Sequence, residues 1–283
     1  MSDEFLIRGQ HAEQAGDAEA AETLYRRALD GGEPHAGYFL GELLIELGRP
    51  EEAITLLEAA AGDGDAHLPL GNARWDLDDL DGAEEQFRLA ADLGQPAGLH
   101  NLGLLLHDRD RVDEAVPLLR ESVAAGHTEP RLLAEALADL GAQLQDEDRL
   151  DEAEAVLREA LEGGATEAYV YLSSVLARLG EDEEADRVLR AGADLGVPSA
   201  ELQLGNVLSD DDPASSDAEA LYRRAIEHGE VGGHNNLGVL LWDAGRLDEA
   251  EAELRVAIGL GDEIAQQNLD GLLAERGHTN GRT

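Results

Sequence analysis

The stretch Asn235-Asn236-Leu237-Gly238, followed by Gly245-Arg246-Leu247-Asp248-Glu249-Ala250 and closed by Leu254, Ala257 and Gly261, holds one whole structural unit. Gly261 comes four residues after Ala257, where a glycine just past a helix end supplies the left-handed backbone conformation that closes it. Gly245 to Ala250 reads as a short turn, with Asp248 placed to cap the helix that follows and glutamate in its positive first turn. The stretch therefore predicts helix A, a short turn, helix B and a glycine stop.

The same unit recurs along the chain. Positions equivalent to Ala257 are Ala28, Ala60, Ala90, Ser122, Ala160, Gly192 and Ala225. Each is followed four residues later by glycine: Gly32, Gly64, Gly94, Gly126, Gly164, Gly196 and Gly229. Positions equivalent to Leu237 are Leu40, Leu70, Leu102, Leu140, Leu172, Leu204 and Leu269, and most are followed by glycine. That second glycine sits inside a helix, where it costs about 1 kcal/mol relative to alanine. A cost repeated so often implies a repeated need for close approach of a neighbouring helix. Ser173 and Asp270 are the exceptions. The turn recurs as Gly48 to Ala53, Asp110 to Ala115 and Asp148 to Ala153, with Asp113 and Asp151 as further expected caps.

The period is near 32 residues, with two irregularities. A shortened interval before Leu70 contains Pro69, which suits the first turn of a helix that starts late. A lengthened one before Leu140 contains Thr128-Glu129-Pro130-Arg131, which predicts a longer helix or loop. Pro117 falls early in its B helix and removes one hydrogen bond. Nine A helices and eight B helices are expected.

This pattern resembles the tetratricopeptide repeat family over nearly the whole chain. The residues that carry it are leucine-glycine, then an apolar residue such as Leu44, then Ala53, Leu57 and Ala60. Gly103, Leu106, Ala115, Leu119 and Ser122 repeat it, as do Gly238, Leu241, Ala250, Leu254 and Ala257. The segment from Ala225 to Gly238 is similar to the SEL-like variant, although the period is shorter than either family usually shows. The resemblance implies an all-α, right-handed superhelical solenoid of about eight helix-turn-helix repeats plus a capping helix at 264–277. As a single domain over 1–283, its repeats would run approximately 2–34, 35–65, 66–96, 97–129, 130–166, 167–198, 199–231 and 232–263. It also implies a non-enzymatic scaffold whose A helices line a concave binding face and whose B helices form the outside.

Composition narrows the function. The 283 residues include no cysteine, which excludes disulfides, thiolate metal sites and cysteine nucleophiles. The net charge is −41, and all 21 basic residues are arginine. Phosphate backbones reward positive charge, so nucleic acid is not an expected partner. No apolar run approaches membrane-spanning length and Met1-Ser2-Asp3-Glu4 lacks the positive charge of a signal peptide, so a cytoplasmic protein is expected. The acidity has two readings that composition leaves open: adaptation to high salt or a GC-rich coding bias, and a surface suited to a basic partner.

No phosphate loop, nucleophile elbow or dinucleotide fingerprint occurs, and no cofactor is expected. His100 and His107 with Asp108 make a poor metal set. Asp76, Asp78, Asp79, Asp81 and Gly82 only partly match a calcium loop.

Binding residues follow from helix geometry. Residues two before, two after and five after each landmark leucine share a face. These include Tyr38, His100 and Asn235, then Asn206, then Trp75, His107 and Trp242. The two tryptophans read either as interface anchors or as packing between adjacent repeats. Asn101, Asn236 and Asn268 directly precede their leucines, where some relatives use asparagine to hold an extended peptide. Phe39, Pro69, Asp139, Tyr171 and Gln203 interrupt such a ladder. Six residues after the leucines stand Asp108, Asp146, Asp210 and Asp243, near helix C-termini where negative charge opposes the dipole. The expected partner is a protein or peptide segment, an Arg/Lys-rich one included, held in an acidic groove. A regulatory or sensor subunit and a structural subunit of a larger assembly remain as alternatives.

Overall fold

The computed structural model of the chain describes residues 2–60, 62, 65–213 and 215–280. Gly64, one of the expected stops, lies outside the described residues. Among the described residues there are seventeen α-helices and no strand.

Two compact units divide the chain, residues 1–136 and 137–283. The first holds α1 (Ser2–Gln14), α2 (Ala18–Asp30), α3 (Ala36–Glu46), α4 (Pro50–Ala60), α5 (His67–Asp76), α6 (Leu80–Asp92), α7 (Pro96–Asp108) and α8 (Val112–Ala124). The boundary falls in α9 (Pro130–Asp146). The second holds α10 (Leu150–Gly163), α11 (Ala168–Leu179), α12 (Asp182–Asp194), α13 (Pro198–Asp211), α14 (Ser216–Glu227), α15 (Gly233–Asp243), α16 (Leu247–Gly259) and α17 (Glu263–Asn280). Seventeen helices match the nine A and eight B helices expected, A being odd-numbered and B even-numbered.

From α1 to α8, and again from α10 to α17, each helix packs on its sequence neighbours. Within each unit some odd-numbered helices also touch the next odd-numbered one: α3 touches α5, and α11, α13, α15 and α17 touch in succession. None of the described helices is long and apolar enough to cross a membrane.

The landmarks do what their chemistry suggests. Every described stop glycine has positive φ, from 76° at Gly94 to 96° at Gly229. The intrahelical glycines face the B helix of their own repeat. A Cβ on Gly41 would stand 2.6 Å from Leu57 and one on Gly205 2.6 Å from Tyr222. The two exceptions have separate reasons. Ser173 is buried and its hydroxyl donates to the Ala185 carbonyl at 2.9 Å, so its small side chain bonds α12 rather than clashing with it. Asp270 is exposed on α17, so its side chain meets solvent and not a packed neighbour. The irregular intervals resolve as a late start, with Pro69 third in α5, and as a seventeen-residue α9 that begins at Pro130.

One expectation is corrected. Asp113, Asp151 and Asp248 do not cap their helices; they lie one residue inside the first turn. The capping positions hold Arg111, Arg149 and Arg246, none of which makes a side-chain cap bond. Each arginine instead forks onto the glutamate three residues on, as Arg111 Nε does to Glu114 at 2.7 Å. The helices begin one or two residues earlier than the aspartates suggest, and these aspartates favour the helix only through its dipole. Side-chain caps do form at Asp17, Asp79 and Ser215.

The turn arginines also tie successive repeats. Arg49 reaches Glu22, Arg111 reaches Glu84 and Arg246 reaches Glu219, at 2.6–2.9 Å and always 27 residues back. At Arg149 the residue 27 earlier is Ser122, and the guanidinium closes on Glu147 and Glu152 instead. Glu84 is the most enclosed of these carboxylates, meeting Arg88, Arg109 and Arg111. Burial pushes its carboxyl up, but Arg111 and Arg88 outweigh that and hold it below the usual range.

Candidate functional site

In the second unit, α13 and α15 lie side by side with α14 behind them. Asn206, Ser209 and Asp210 share a face of α13 by their three- and four-residue spacing. Asn236, Val239, Leu240 and Asp243 do the same on α15. Between them opens a cavity of about 610 Å³, lined also by Gln203, Pro213 and Tyr222.

Tyr222 makes this cleft polar at its floor. Its place in α14 is that of Leu57, Leu119 and Leu254 in other repeats, each packed on the intrahelical glycine. The tyrosine ring fills the same space against Gly205 and carries a hydroxyl further. That hydroxyl donates to Asn206 Oδ1 at 2.9 Å and pairs with Ser209 Oγ at 3.0 Å. Burial pushes its pKa up, so the phenol stays neutral. Asn236 Nδ2 donates to the same Asn206 oxygen at 2.7 Å. The exposed carboxylates of Asp210 and Asp243 stand at the rim, and no arginine lines the cavity. Elsewhere most of the arginines are held in ion pairs.

The structure thus brings together Asn206, Asp210, Asn236 and Asp243. The other expected residues fall elsewhere. Asn235 is buried and accepts from Asn268 Nδ2 at 2.8 Å. Asn101 donates to Asn72 at 2.7 Å. The asparagines therefore pair with one another across successive odd-numbered helices, each bond tying one repeat to the next.

His100 is half-buried and bonded to Thr128 Oγ1 at 2.8 Å, and burial lowers its pKa. Thr128 in turn donates to Ser122, so this histidine packs the lengthened interval. Trp75 meets Phe87 edge-on at 5.8 Å. Trp242 lies against Gly271 of α17, and its Nε1 donates to Glu275 at 2.8 Å. Both indoles are half-buried and serve helix packing. His107 is half-buried on α7, while Asp108 and Asp146 are exposed at the last residues of α7 and α9. The aspartate-rich turn after α5 is structural: Asp78 takes φ of 62° and Asp79 caps α6.

A second cleft, not anticipated from the sequence, lies at the equivalent place in the first unit. Gln10, Glu13, Gln14, Tyr25, Phe39, Glu42 and Glu46 line about 530 Å³ between α1 and α3. Tyr25 plays the part of Tyr222, its ring on Gly9 and its hydroxyl donating to Glu13. The signal was present in the identity of Leu24-Tyr25-Arg26-Arg27-Ala28 and Leu221-Tyr222-Arg223-Arg224-Ala225.

Tyr38 is half-buried beside this cleft, its hydroxyl bonded to Glu42 and its pKa raised chiefly by burial. Burial also pushes the Glu42 carboxyl up, opposed by the Tyr38 hydrogen bond and reinforced by Glu13 and Glu46. A raised carboxyl costs stability only when ionised. The cost is absent below the unfolded value of 4.5 and full above the folded one. Glu42→Gln is therefore expected to raise the thermal midpoint at neutral pH, with the advantage vanishing below about pH 4. An advantage that persists there shows that Glu42 is not strained by its charge.

Tetratricopeptide repeat models match residues 12–63, 97–126 and 215–267. No curated protein matches the chain significantly. Among solved structures, the C-terminal part of a repeat-containing protein from Cytophaga hutchinsonii is similar, at 12% identity and TM-score 0.55. The match covers 81% of this chain and 98% of that one. A Sel1 repeat protein from Oxalobacter formigenes is 23% identical over 78% of this chain and 98% of that one, with TM-score 0.48. YrrB, described as a tetratricopeptide-repeat protein with an unusual peptide-binding site, is 20% identical over 60% and 91%, with TM-score 0.46. The repeat models fall in both compact units, on helix pairs joined by the expected turns and stops, and those segments of the chain are tetratricopeptide repeats.

Proposed function

We propose that the chain is a non-enzymatic protein-interaction scaffold that holds a cationic peptide or protein segment along its odd-numbered helices. Tetratricopeptide repeats as a family are protein-interaction scaffolds, which supports the general reading. The cleft between α13 and α15 carries the specific one. Four residues chosen by repeat spacing line a single cavity there, with two exposed carboxylates at its rim and no lining arginine. An arginine or lysine side chain entering it would meet Asp210 and Asp243, while the neutral Tyr222, Asn206 and Asn236 network offers polar contacts below.

Calorimetric titration with an arginine-rich peptide tests this. Asp210→Asn with Asp243→Asn is expected to weaken binding about tenfold at low salt, chiefly through the on-rate. Asp217→Asn, an exposed change on α14, is expected to leave it unchanged. Equal loss from the two variants makes the interaction one of bulk charge and removes the cleft from the account.

A further inference from the structure

The cleft between α1 and α3 differs from its counterpart between α13 and α15 at three inward positions. Repeat register pairs Glu13 with Ser209, Glu42 with Val239 and Phe39 with Asn236. The first unit thus places two half-buried carboxylates and an aromatic ring where the second places neutral groups. Exposed Glu46 stands at the rim, as Asp243 does in the other cleft. Glu42 is not an instance of the chain's general acidity. None of the other landmark leucines has a charged residue two positions on, where Asn72, Leu104, Ser174 and Val239 are found.

A carboxylate withdrawn from water without a cation is costly. Glu13 accepts from the Tyr25 hydroxyl and Glu42 from the Tyr38 hydroxyl, and no arginine lines the cleft. Helix polarity deepens the negative field. Glu13 and Gln14 end α1 and Glu46 ends α3, where backbone carbonyls carry partial negative charge. The raised carboxyl of Glu42 follows from burial and from this crowding. Shape then selects the cation. Among the described residues no three histidine, aspartate or glutamate side chains are grouped closely enough to hold a metal ion. The cleft's 530 Å³ suits the head of a side chain better than a bare ion. Phe39, stacked with Tyr25 at 5.9 Å and 24°, gives it an aromatic wall. A planar guanidinium stacks on such a wall and forks to carboxylates, whereas a lysine ammonium is a compact point charge.

We infer that the cleft between α1 and α3 binds the guanidinium of an arginine side chain from a partner protein. Glu13 on α1 and Glu42 on α3 take its N–H groups, Glu46 strengthens the field from the rim, and Phe39 offers the ring against which it lies. The bound charge also offsets the cost of keeping Glu42 ionised. This site is independent of the cleft between α13 and α15, with which it shares no residue.

Nuclear magnetic resonance titration of the full chain tests this, reading the ring protons of Tyr25 and Phe39 so that binding in the other cleft is not counted. The probes are the N-acetyl amides of arginine, lysine and citrulline. Lysine carries the same charge as arginine, and citrulline has nearly its shape without the charge. Arginine is expected to bind about tenfold more tightly than either. Glu42→Gln is expected to weaken arginine binding about tenfold while raising the thermal midpoint, which separates lost binding from lost folding. Glu19→Gln, the same charge change at an exposed position on α2, is expected to leave arginine binding unchanged. Equal affinity for arginine and lysine reduces the cleft to bulk charge and overturns the proposal, as does equal binding of citrulline. Parent-like binding in the Glu42 variant overturns it as well. Free arginine binding more tightly than the blocked residue assigns the cleft to the amino acid itself and overturns the choice of a partner's side chain.

Discussion

Gly98→Val is expected to destabilise the first unit by about 3 kcal/mol or more, the upper range for overpacking a close contact. A Cβ at Gly98 would stand 2.7 Å from the Ala91 nitrogen and 2.9 Å from the Ala90 carbonyl carbon. Those are backbone atoms at the end of α6, so the contact can be relieved only by moving α7 away from α6. At Gly41 the added carbon meets the flexible end of Leu57, which has some freedom to turn aside. At Gly164 it meets nothing within 4 Å, and valine there suffers only from its positive φ, at about 1–2 kcal/mol. Urea denaturation of the three variants should rank them in that order of severity, with Gly98 first. Because each repeat touches only its neighbours, hydrogen exchange should rise first in α6 and α7. A Gly98 variant as stable as the parent contradicts the close approach of those helices.

Salt is expected to act in opposite directions on stability and on binding. The net charge of −41 sets carboxylates against one another, and most arginines already neutralise a local partner. Raising ionic strength shortens the Debye length from about 10 Å at 0.1 M to about 3 Å at 1 M. The remaining repulsion is then screened, and the thermal midpoint is expected to rise by about 5 °C or more. The same screening weakens the attraction of a basic peptide to Asp210 and Asp243. A midpoint that falls with salt would mean that the arginine-glutamate ties outweigh the repulsion between unpaired carboxylates.

What the sequence made legible was what depends on local chemistry. A stop glycine needs positive φ, and that need is visible wherever a helical pattern ends, as at Gly164 and Gly196. The glycine after each landmark leucine was legible because its helix-breaking cost recurs. The substitutions at Ser173 and Asp270 make sense only once the first is seen to bond the neighbouring helix and the second to lie exposed. The turn before each B helix was read less well. Asp78, Asp110 and Asp148 hold positive φ without being glycine, and the arginines at the capping positions use glutamate three residues ahead. Capping rules favour small polar residues and pointed to the wrong side chain.

The site was legible by face and not by partner. Helix periodicity put Asn206, Asp210, Asn236 and Asp243 on one side, and they line one cleft. It could not tell that Asn101 and Asn268 bond other asparagines, or that Trp242 is held by Gly271 and Glu275. Those contacts depend on the spacing between helices, which a single helix pattern does not contain.

The central claim is that a cationic segment lies on the odd-numbered helices of the second unit. Hydrogen–deuterium exchange of the full chain, with and without a saturating arginine-rich peptide, tests it most directly. The account predicts new protection in α13 and α15 around Asn206, Asp210, Asn236 and Asp243, with α12, α14 and α16 unchanged. Protection confined to the even-numbered helices of that unit, or spread evenly along the chain, would contradict it.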